Sequence, residues 1–151
     1  MMSEELKTSI TEFSAGVTYD ETGEMLNAIV PAADFRSMMK NLRHKAEWHF
    51  DYLFCLTCID WKTHLMMVYH LRSRQHRHEL VVKVKLDDIK NPAIDTVCDI
   101  WQTANFHERE VFDLFGVNFR NHPDMRRIML DDNWDGFPLR KNYVDENMIS
   151  L

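Results

Sequence analysis

Apolar positions recur at two different periods along the chain, and the change between them predicts the order of its elements. Residues 3–13 place apolar side chains on one face at helical spacing. A short hairpin is predicted next, with a glycine-containing turn at residues 21–23. Pro31 then introduces a second predicted helix, in which four apolar residues recur every three or four positions: Phe35, Met38, Met39 and Leu42.

The middle of the chain changes to a pattern typical of β-strands. Residues 53–61, 64–71 and 79–86 are rich in β-branched, aromatic and long apolar side chains. In the last of these runs, apolar residues alternate with more polar ones, which is typical of a sheet with one wetter face. The basic segment 72–78 lies between the last two strands. We interpret it as a solvated hairpin loop rather than a phosphate-binding loop.

A third helix is predicted from residue 93 to residue 115, followed by Gly116, a common helix terminator. Glu108 falls in the middle of its apolar stripe. Either the helix breaks near Asn105, or a carboxylate is buried there and needs a cationic partner.

After Gly116 the regular patterning stops, and 14 of the last 35 residues are apolar. Disorder fits this composition poorly, so the apolar area needs cover. We therefore predict a core domain over residues 1–116 and an extended, partner-binding C-terminal arm over residues 117–151.

Composition narrows the class of protein. The chain has 151 residues, 45% of them hydrophobic and 28% charged, as expected for one soluble globular domain. Its net charge of −6 argues against a dedicated nucleic-acid binder. No apolar run is long enough to span a membrane, and the polar, acidic N-terminus does not resemble a secretory signal. We expect the chain to stay in the cytoplasm.

The three cysteines predict no metal or disulfide framework, because their number is odd and small. Cys55 and Cys58 lie three apart in a predicted strand, so their side chains should point to opposite faces. We interpret them as small buried apolar residues.

Two segments carry a resemblance to a known family. Residues 107–128, HEREVFDLFGVNFRNHPDMRRI, closely resemble the signature of the thirty-kilodalton (C-type) subunit of complex I, the NADH–quinone oxidoreductase. Residues 131–143, DDNWDGFPLRKNY, resemble the family's extended C-terminal segment, and residues 59–61 and 68–73 match its strand region in kind. The resemblance covers most of the chain from about Ile29 onward.

The resemblance implies an α+β fold, a two-layer domain with a mixed β-sheet packed by helices and an extended C-terminal arm. It implies a non-catalytic scaffold that binds no cofactor or metal itself. FMN, iron–sulfur clusters and quinone are expected in the assembled complex. The implied partners are the large quinone-site (D-type) subunit and the cluster-bearing subunits. The chain would lie on the cytoplasmic side and reach the membrane only through the complex.

The charged residues around Gly116 predict contacts that hold the arm. Arginine can bind a carboxylate with two hydrogen bonds, so we expect Glu108 or Glu110 to pair with Arg126 or Arg127. We expect Trp134, Phe137 and Leu139 to be partner anchors, Pro138 to stiffen the arm, and Arg140 and Lys141 to meet acidic residues or carbonyls of the neighbour. The predicted structural and partner-binding set is completed by Arg109, Asp113, Gly116, His122, Pro123 and Asp124.

Several alternatives stay open at this point. His107, Glu110 and Asp113 share a helical face and could gather a metal ion, and His76 and His78 form another histidine-rich patch. No nucleophile or cofactor-binding motif accompanies these residues. The arm could instead fold back on its own domain. Related membrane-bound hydrogenases, the coenzyme F420 dehydrogenase complex and the photosynthetic counterpart use subunits of this kind. A free-standing binding or assembly module is the alternative of another class.

Overall fold

The computed structural model describes residues 3–20 and 24–144. Its elements, in chain order, are α1 (Ser3–Phe13), β1 (Thr18–Asp20), β2 (Asn27–Ile29), α2 (Phe35–His44), β3 (Tyr52–Asp60), β4 (Leu65–Ser73), β5 (His78–Leu86), β6 (Ala93–Asp95), α3 (Ala104–Phe115) and β7 (Asn118–Arg120). A single 3-10 turn, Ala32–Asp34, precedes α2. None of the helices in the described ranges is long and apolar enough to span a membrane.

Five strands form one mixed sheet in the order β1-β2-β5-β4-β3. The pairing of β2 with β5 is parallel, and the other pairings are antiparallel. The predicted hairpin is confirmed by the pairing of β1 with β2, whereas its predicted turn, residues 21–23, lies outside the described residues. The predicted α+β fold with a mixed sheet is confirmed.

Helices cover one face of this sheet and form the core with it. The four predicted apolar positions of α2 are buried, and so are Leu6 and Ile10 of α1. In β5, Leu80, Val82, Val84 and Leu86 are buried in the core, as the alternation predicts. In β3, Cys58 is buried and Cys55 is half-buried three positions away, so the two thiols lie on opposite faces of the strand.

The predicted third helix over residues 93–115 is wrong in its first half. Residues 93–95 form β6, which pairs in parallel with β7, and α3 begins only at Ala104. The apolar spacing of Ile94 and Val97 suits a buried strand and turn as well as a helix, so periodicity alone did not separate them. α3 is continuous through Asn105, so no helix breaks at that point, and the other alternative, a buried carboxylate at Glu108, is the one found.

The arm begins as part of the core and then loses regular structure. Val117 and Phe119, both within the predicted arm, are buried in the hydrophobic core. From Asn121 to Val144, the described part of the arm contains no helix or strand. The path of this segment therefore depends on hydrogen bonds between side chains and backbone, chiefly those of Asp113, Arg127 and Arg140.

Candidate docking site

Asp113, near the end of α3, is fully buried and organises the arm. Its Oδ1 oxygen accepts a hydrogen bond from Arg127 Nη1 at 2.8 Å. Its Oδ2 oxygen accepts the backbone N–H groups of Ile128, Met129 and Leu130 at 3.2, 2.7 and 2.9 Å. Burial alone would raise the pKa of this carboxyl, but the hydrogen bonds from Arg127 and the three N–H groups outweigh it and lower the pKa.

Arg127 connects this carboxylate to later parts of the arm. Its guanidinium also donates to the carbonyl oxygens of Asp113, Trp134 and Gly136 at 2.8, 3.1 and 2.9 Å. The same group lies 5.1 Å from the centroid of the Phe137 ring. One arginine therefore determines the backbone path of residues 127–137.

The predicted pairing of Glu108 or Glu110 with Arg126 or Arg127 is wrong. Arg127 binds Asp113, and Arg126 binds Asp124 at 2.9 Å on the surface. The arm returns beside the last turn of α3, so the carboxylate within reach is the one nearest Gly116. Glu110 is exposed, and Glu108 lies on a different side of the helix.

Glu108 is fully buried against the loop that precedes α3. Its carboxylate accepts hydrogen bonds from the Thr96 hydroxyl and, at 2.9 Å, from the Val97 N–H. Burial raises the pKa of Glu108 to about 7, although these two hydrogen bonds oppose the rise. The donors to this carboxylate are therefore a hydroxyl and a backbone N–H, in place of the expected cationic partner. His122 Nε2 lies 3.8 Å from Glu108 Oε1.

The ligand-type atoms of Cys98, Glu108 and His122 lie within 4.8 Å of one another, a spacing that a metal ion could bridge. However, His122 Nδ1 accepts the backbone N–H of Asp124 at 3.0 Å. The Nε2 nitrogen of a neutral ring must then carry the proton, and it lies 3.2 Å from the Asn105 carbonyl oxygen. Neither ring nitrogen has a free lone pair for a metal ion, so we interpret the cluster as hydrogen-bonded structure.

The residues of the two alternative metal sites make other contacts. Both carboxylate oxygens of Asp113 bind the arm, so this residue is not available to join His107 and Glu110 around a metal ion. His76 and His78 each place Nε2 on a backbone carbonyl oxygen, at 2.6 Å from Ala46 and 2.8 Å from Trp48. The described structure therefore gives these two histidines structural contacts.

Gly116 allows the arm to fold back over the end of α3. Its φ is +80°, and its N–H bonds the Phe112 carbonyl oxygen at 2.9 Å. A Cβ at this position would lie 2.7 Å from the ring of Phe137. Phe137, a predicted partner anchor, is half-buried and its ring centroid lies 6.3 Å from that of Phe112 in α3.

Arg140 attaches the far part of the arm to the core. It donates to the carbonyl oxygens of Phe115, at 3.0 Å, and Ile89. Its Nε lies 3.5 Å from Asp60 Oδ2, which also accepts the Lys141 N–H at 2.8 Å. The expectation that Arg140 meets a neighbouring chain is wrong, because it binds one carbonyl oxygen at the end of α3 and one in the loop after β5, and it lies beside a carboxylate at the end of β3.

Asp60 and Thr96 were missed in the sequence, and only one of them had a usable signal. Leu56, Cys58 and Asp60 occupy successive inward positions of β3, so the alternation marks an inward carboxylate at the strand end. Thr96 lies in a turn without periodicity, and nothing local links it to Glu108.

Several apolar side chains of the arm are exposed, although its backbone is bound to the core. Trp134 is 38% exposed and Leu139 is 52% exposed. Three further arm residues are also exposed: Ile128, Met129 and Val144. Of the remaining predicted residues, Pro138 is half-buried, and Pro123 and Lys141 are exposed. Exposed apolar side chains on a fixed backbone make this part of the arm a candidate docking surface.

Comparison with known proteins identifies the family. The model of the family described as "Respiratory-chain NADH dehydrogenase, 30 Kd subunit" matches residues 28–147. The chain belongs to this family. The resemblance to the thirty-kilodalton subunit of complex I is thereby confirmed, and the match includes α2, α3, β2 without its first residue, the strands from β3 to β7, and the described arm.

Relatives with curated names agree with this. The chain is 42% identical over 123 residues to the NADH-quinone oxidoreductase C/D subunit of Phocaeicola vulgatus, covering 81% of this chain and 23% of that one. It is 44% identical over 104 residues to the NADH-quinone oxidoreductase C subunit of Chloroherpeton thalassium, covering 68% and 43%. The match to the C subunit of Geotalea uraniireducens is 40% over 121 residues, covering 78% and 72%. The chain thus spans less than half the length of the first two relatives.

A solved structure shows the same fold. The chain superposes on a chain of the membrane-bound sulfane sulfur reductase, an archaeal respiratory membrane complex, with a TM-score of 0.79 and 27% sequence identity. The superposition covers 93% of this chain and 85% of the other.

Proposed function

We propose that this chain is a non-catalytic peripheral-arm subunit of a complex I-type NADH–quinone oxidoreductase and that it docks through its arm onto the large quinone-site subunit. The observation that carries the proposal is the arm itself. Its backbone is bound to the core by Asp113, Arg127 and Arg140, while Trp134 and Leu139 remain exposed.

The physical reason is preorganisation. An arm already fixed by buried hydrogen bonds loses little conformational entropy on binding, so the burial of its apolar side chains contributes more fully to affinity. Family membership supports a role in such an assembly, and a relative named as a C/D subunit supports an association with the large, D-type subunit.

In this proposal the oxidoreductase activity belongs to the assembly. FMN, iron–sulfur clusters and quinone are held by other subunits, which couple NADH oxidation to quinone reduction and ion translocation. This chain contributes scaffolding that keeps the large subunit and the cluster-bearing subunits in position. It lies on the cytoplasmic side of the membrane as a peripheral component.

The similarity to a chain of an archaeal respiratory membrane complex favours one alternative, an equivalent subunit of a related complex with another electron donor. Affinity capture from the native host membrane separates the two. Co-purification of a flavin-containing NADH-oxidising module supports the first proposal, and capture of the large subunit without such a module supports the alternative.

The docking role is tested by co-expression with the large subunit from the same organism. Trp134→Ser and Leu139→Ser should each weaken binding by about tenfold or more, because exposed aromatic and aliphatic anchors dominate interface energy. Phe13→Ser is the control, since Phe13 of α1 is 37% exposed but lies outside the arm. Failure of the unaltered chain to bind the large subunit would overturn the proposal, and so would equal losses in all three variants.

A further inference from the structure

A cavity of about 930 Å³ opens between the loop 95–99, the first turns of α3 and residues 120–126 of the arm. We call it the arginine cleft, because four arginines line it: Arg36, Arg109, Arg120 and Arg126. Its volume lies in the range of binding pockets. The last wall belongs to the arm, so the cleft adjoins the proposed docking surface.

Three of the four arginines have a carboxylate partner within the cleft. The pairs are Arg36 with Asp99, Arg120 with Asp95 and Arg126 with Asp124. Four arginines against these three aspartates leave one positive charge in a chain whose net charge is −6. The cleft is therefore locally suited to an anionic group.

The unbalanced charge belongs to Arg109. This residue is only 8% exposed, and its guanidinium donates to the carbonyl oxygens of Arg126 and Arg127 at 3.2 and 3.1 Å. No carboxylate of the described residues lies within 4 Å of it. Carbonyl dipoles satisfy some of its N–H groups but do not neutralise its charge, and a buried cation without a counter-ion is costly.

Phe106 lies beside this arginine at the mouth of the cleft. Its side chain is 64% exposed, and the Arg109 guanidinium carbon lies 5.9 Å from its ring centroid. Aromatic residues and arginines are the types most enriched at the energetic centres of protein interfaces. A small free anion would neutralise Arg109 but would leave the exposed ring uncovered.

We propose that the arginine cleft receives an Asp or Glu side chain of the large subunit, with its carboxylate on Arg109 and an adjacent apolar side chain on Phe106. This inference rests on the proposed function and adds which type of side chain the large subunit places in the cleft. The arm supplies the apolar anchors, and the cleft supplies a charged contact that fixes the orientation of the partner.

The first test replaces Arg109 by Gln, which removes the charge and keeps an amide donor. Affinity for the co-expressed large subunit should fall at least about tenfold, and the decline of affinity with salt should become shallower. Arg43→Gln is the matched control, because Arg43 also donates to a carbonyl oxygen, that of Asp51, but lies outside the cleft. Its effect should stay within about twofold. Unchanged binding in Arg109→Gln would overturn the cleft proposal while the docking role stands.

The second test does not depend on the folding of that variant. A photo-crosslinking phenylalanine analogue at position 106 keeps an aromatic ring at an exposed site. In the co-expressed complex, the crosslinked peptide of the large subunit should contain an Asp or Glu. A peptide without an acidic residue, or no crosslink in a complex that forms, overturns the proposal.

A free-anion site is the competing outcome, and titration with glutarate tests it. Saturable glutarate binding that is lost in Arg109→Gln, with large-subunit affinity unchanged, would overturn the docking of a partner side chain. If the unaltered chain does not bind the large subunit at all, both this inference and the proposed function fail.

Discussion

Arg127 Nη1 lies 2.8 Å from Asp113 Oδ1, and this buried ion pair determines how the arm leaves the last helix. The aspartate side chain is fully buried and the arginine side chain is 11% exposed. The same carboxylate binds three consecutive backbone N–H groups, so a single side chain sets the start of a segment that has no secondary structure. The backbone N–H groups of such a segment depend on side-chain acceptors, because the segment has no hydrogen bonds of a helix or a sheet.

Replacing Asp113 by Asn should strongly destabilise the chain. The change removes the negative charge and leaves the Arg127 guanidinium buried without a counter-ion, which typically costs about 3–5 kcal/mol. Urea unfolding measures the loss, and limited proteolysis should show faster cleavage of the arm. Asp124→Asn is the control, because the Asp124–Arg126 pair is on the surface and should change stability by less than about 1 kcal/mol. Similar losses in both variants would contradict this account of the buried pair.

Glu108 should make stability depend on pH in the direction opposite to that of most carboxylates. Its pKa is about 7 in the folded chain and about 4.3 in an unfolded one. Between these values the folded state binds more protons than the unfolded state, so the contribution of this group to stability falls as pH rises. The loss continues as pH rises through about 7 and levels off above that value.

The variant Glu108→Gln isolates this effect, since glutamine stays neutral. Its stability relative to the unaltered chain should rise from about pH 5 to about pH 8 by as much as about 3 kcal/mol. The difference between the two chains must be used, because burial also lowers the pKa values of His70 and His78, which adds a pH dependence common to both chains. A difference independent of pH would show that Glu108 is ionised when folded.

Gly116→Ala should destabilise the chain for two separable reasons. Alanine at a φ of +80° is strained by about 1 kcal/mol, and its Cβ would collide with the ring of Phe137. A double-mutant cycle with Phe137→Ala separates them, because removal of the ring should eliminate the collision but not the strain. Strictly additive free energies of unfolding would show that the ring is not packed on Gly116.

Arg140→Gln should release the far part of the arm without unfolding the core. The arginine binds two carbonyl oxygens and approaches Asp60, so its loss removes the contacts around residues 137–143. Hydrogen exchange should become faster at Leu139 and Lys141, whose N–H groups are bonded to Leu114 and Asp60. Protection in β4 and β5 should be unchanged, and a uniform loss of protection would contradict a local role.

Local patterns predicted the elements that depend on local spacing. The helical period of α2 and the alternation of β5 each follow from the faces that these segments bury, and both are confirmed. The same reasoning failed for residues 93–103, where a short apolar run suits either a helix or a strand and turn. Residues 93–95 form a strand because they pair with β7, and paired residues such as Ala93 and Asn118 lie far apart in the sequence.

The sequence by itself determined the fold class, most of the helices and strands, and the family, because these depend on periodicity and on a motif of contiguous residues. Only the tertiary structure decided that Arg127 binds Asp113, that Glu108 bonds Thr96, and that Arg140 returns to Asp60. Each of these contacts joins residues separated by 12 to 80 positions. Their choice depends on how packed elements bring side chains together, and no local pattern of residues contains that information.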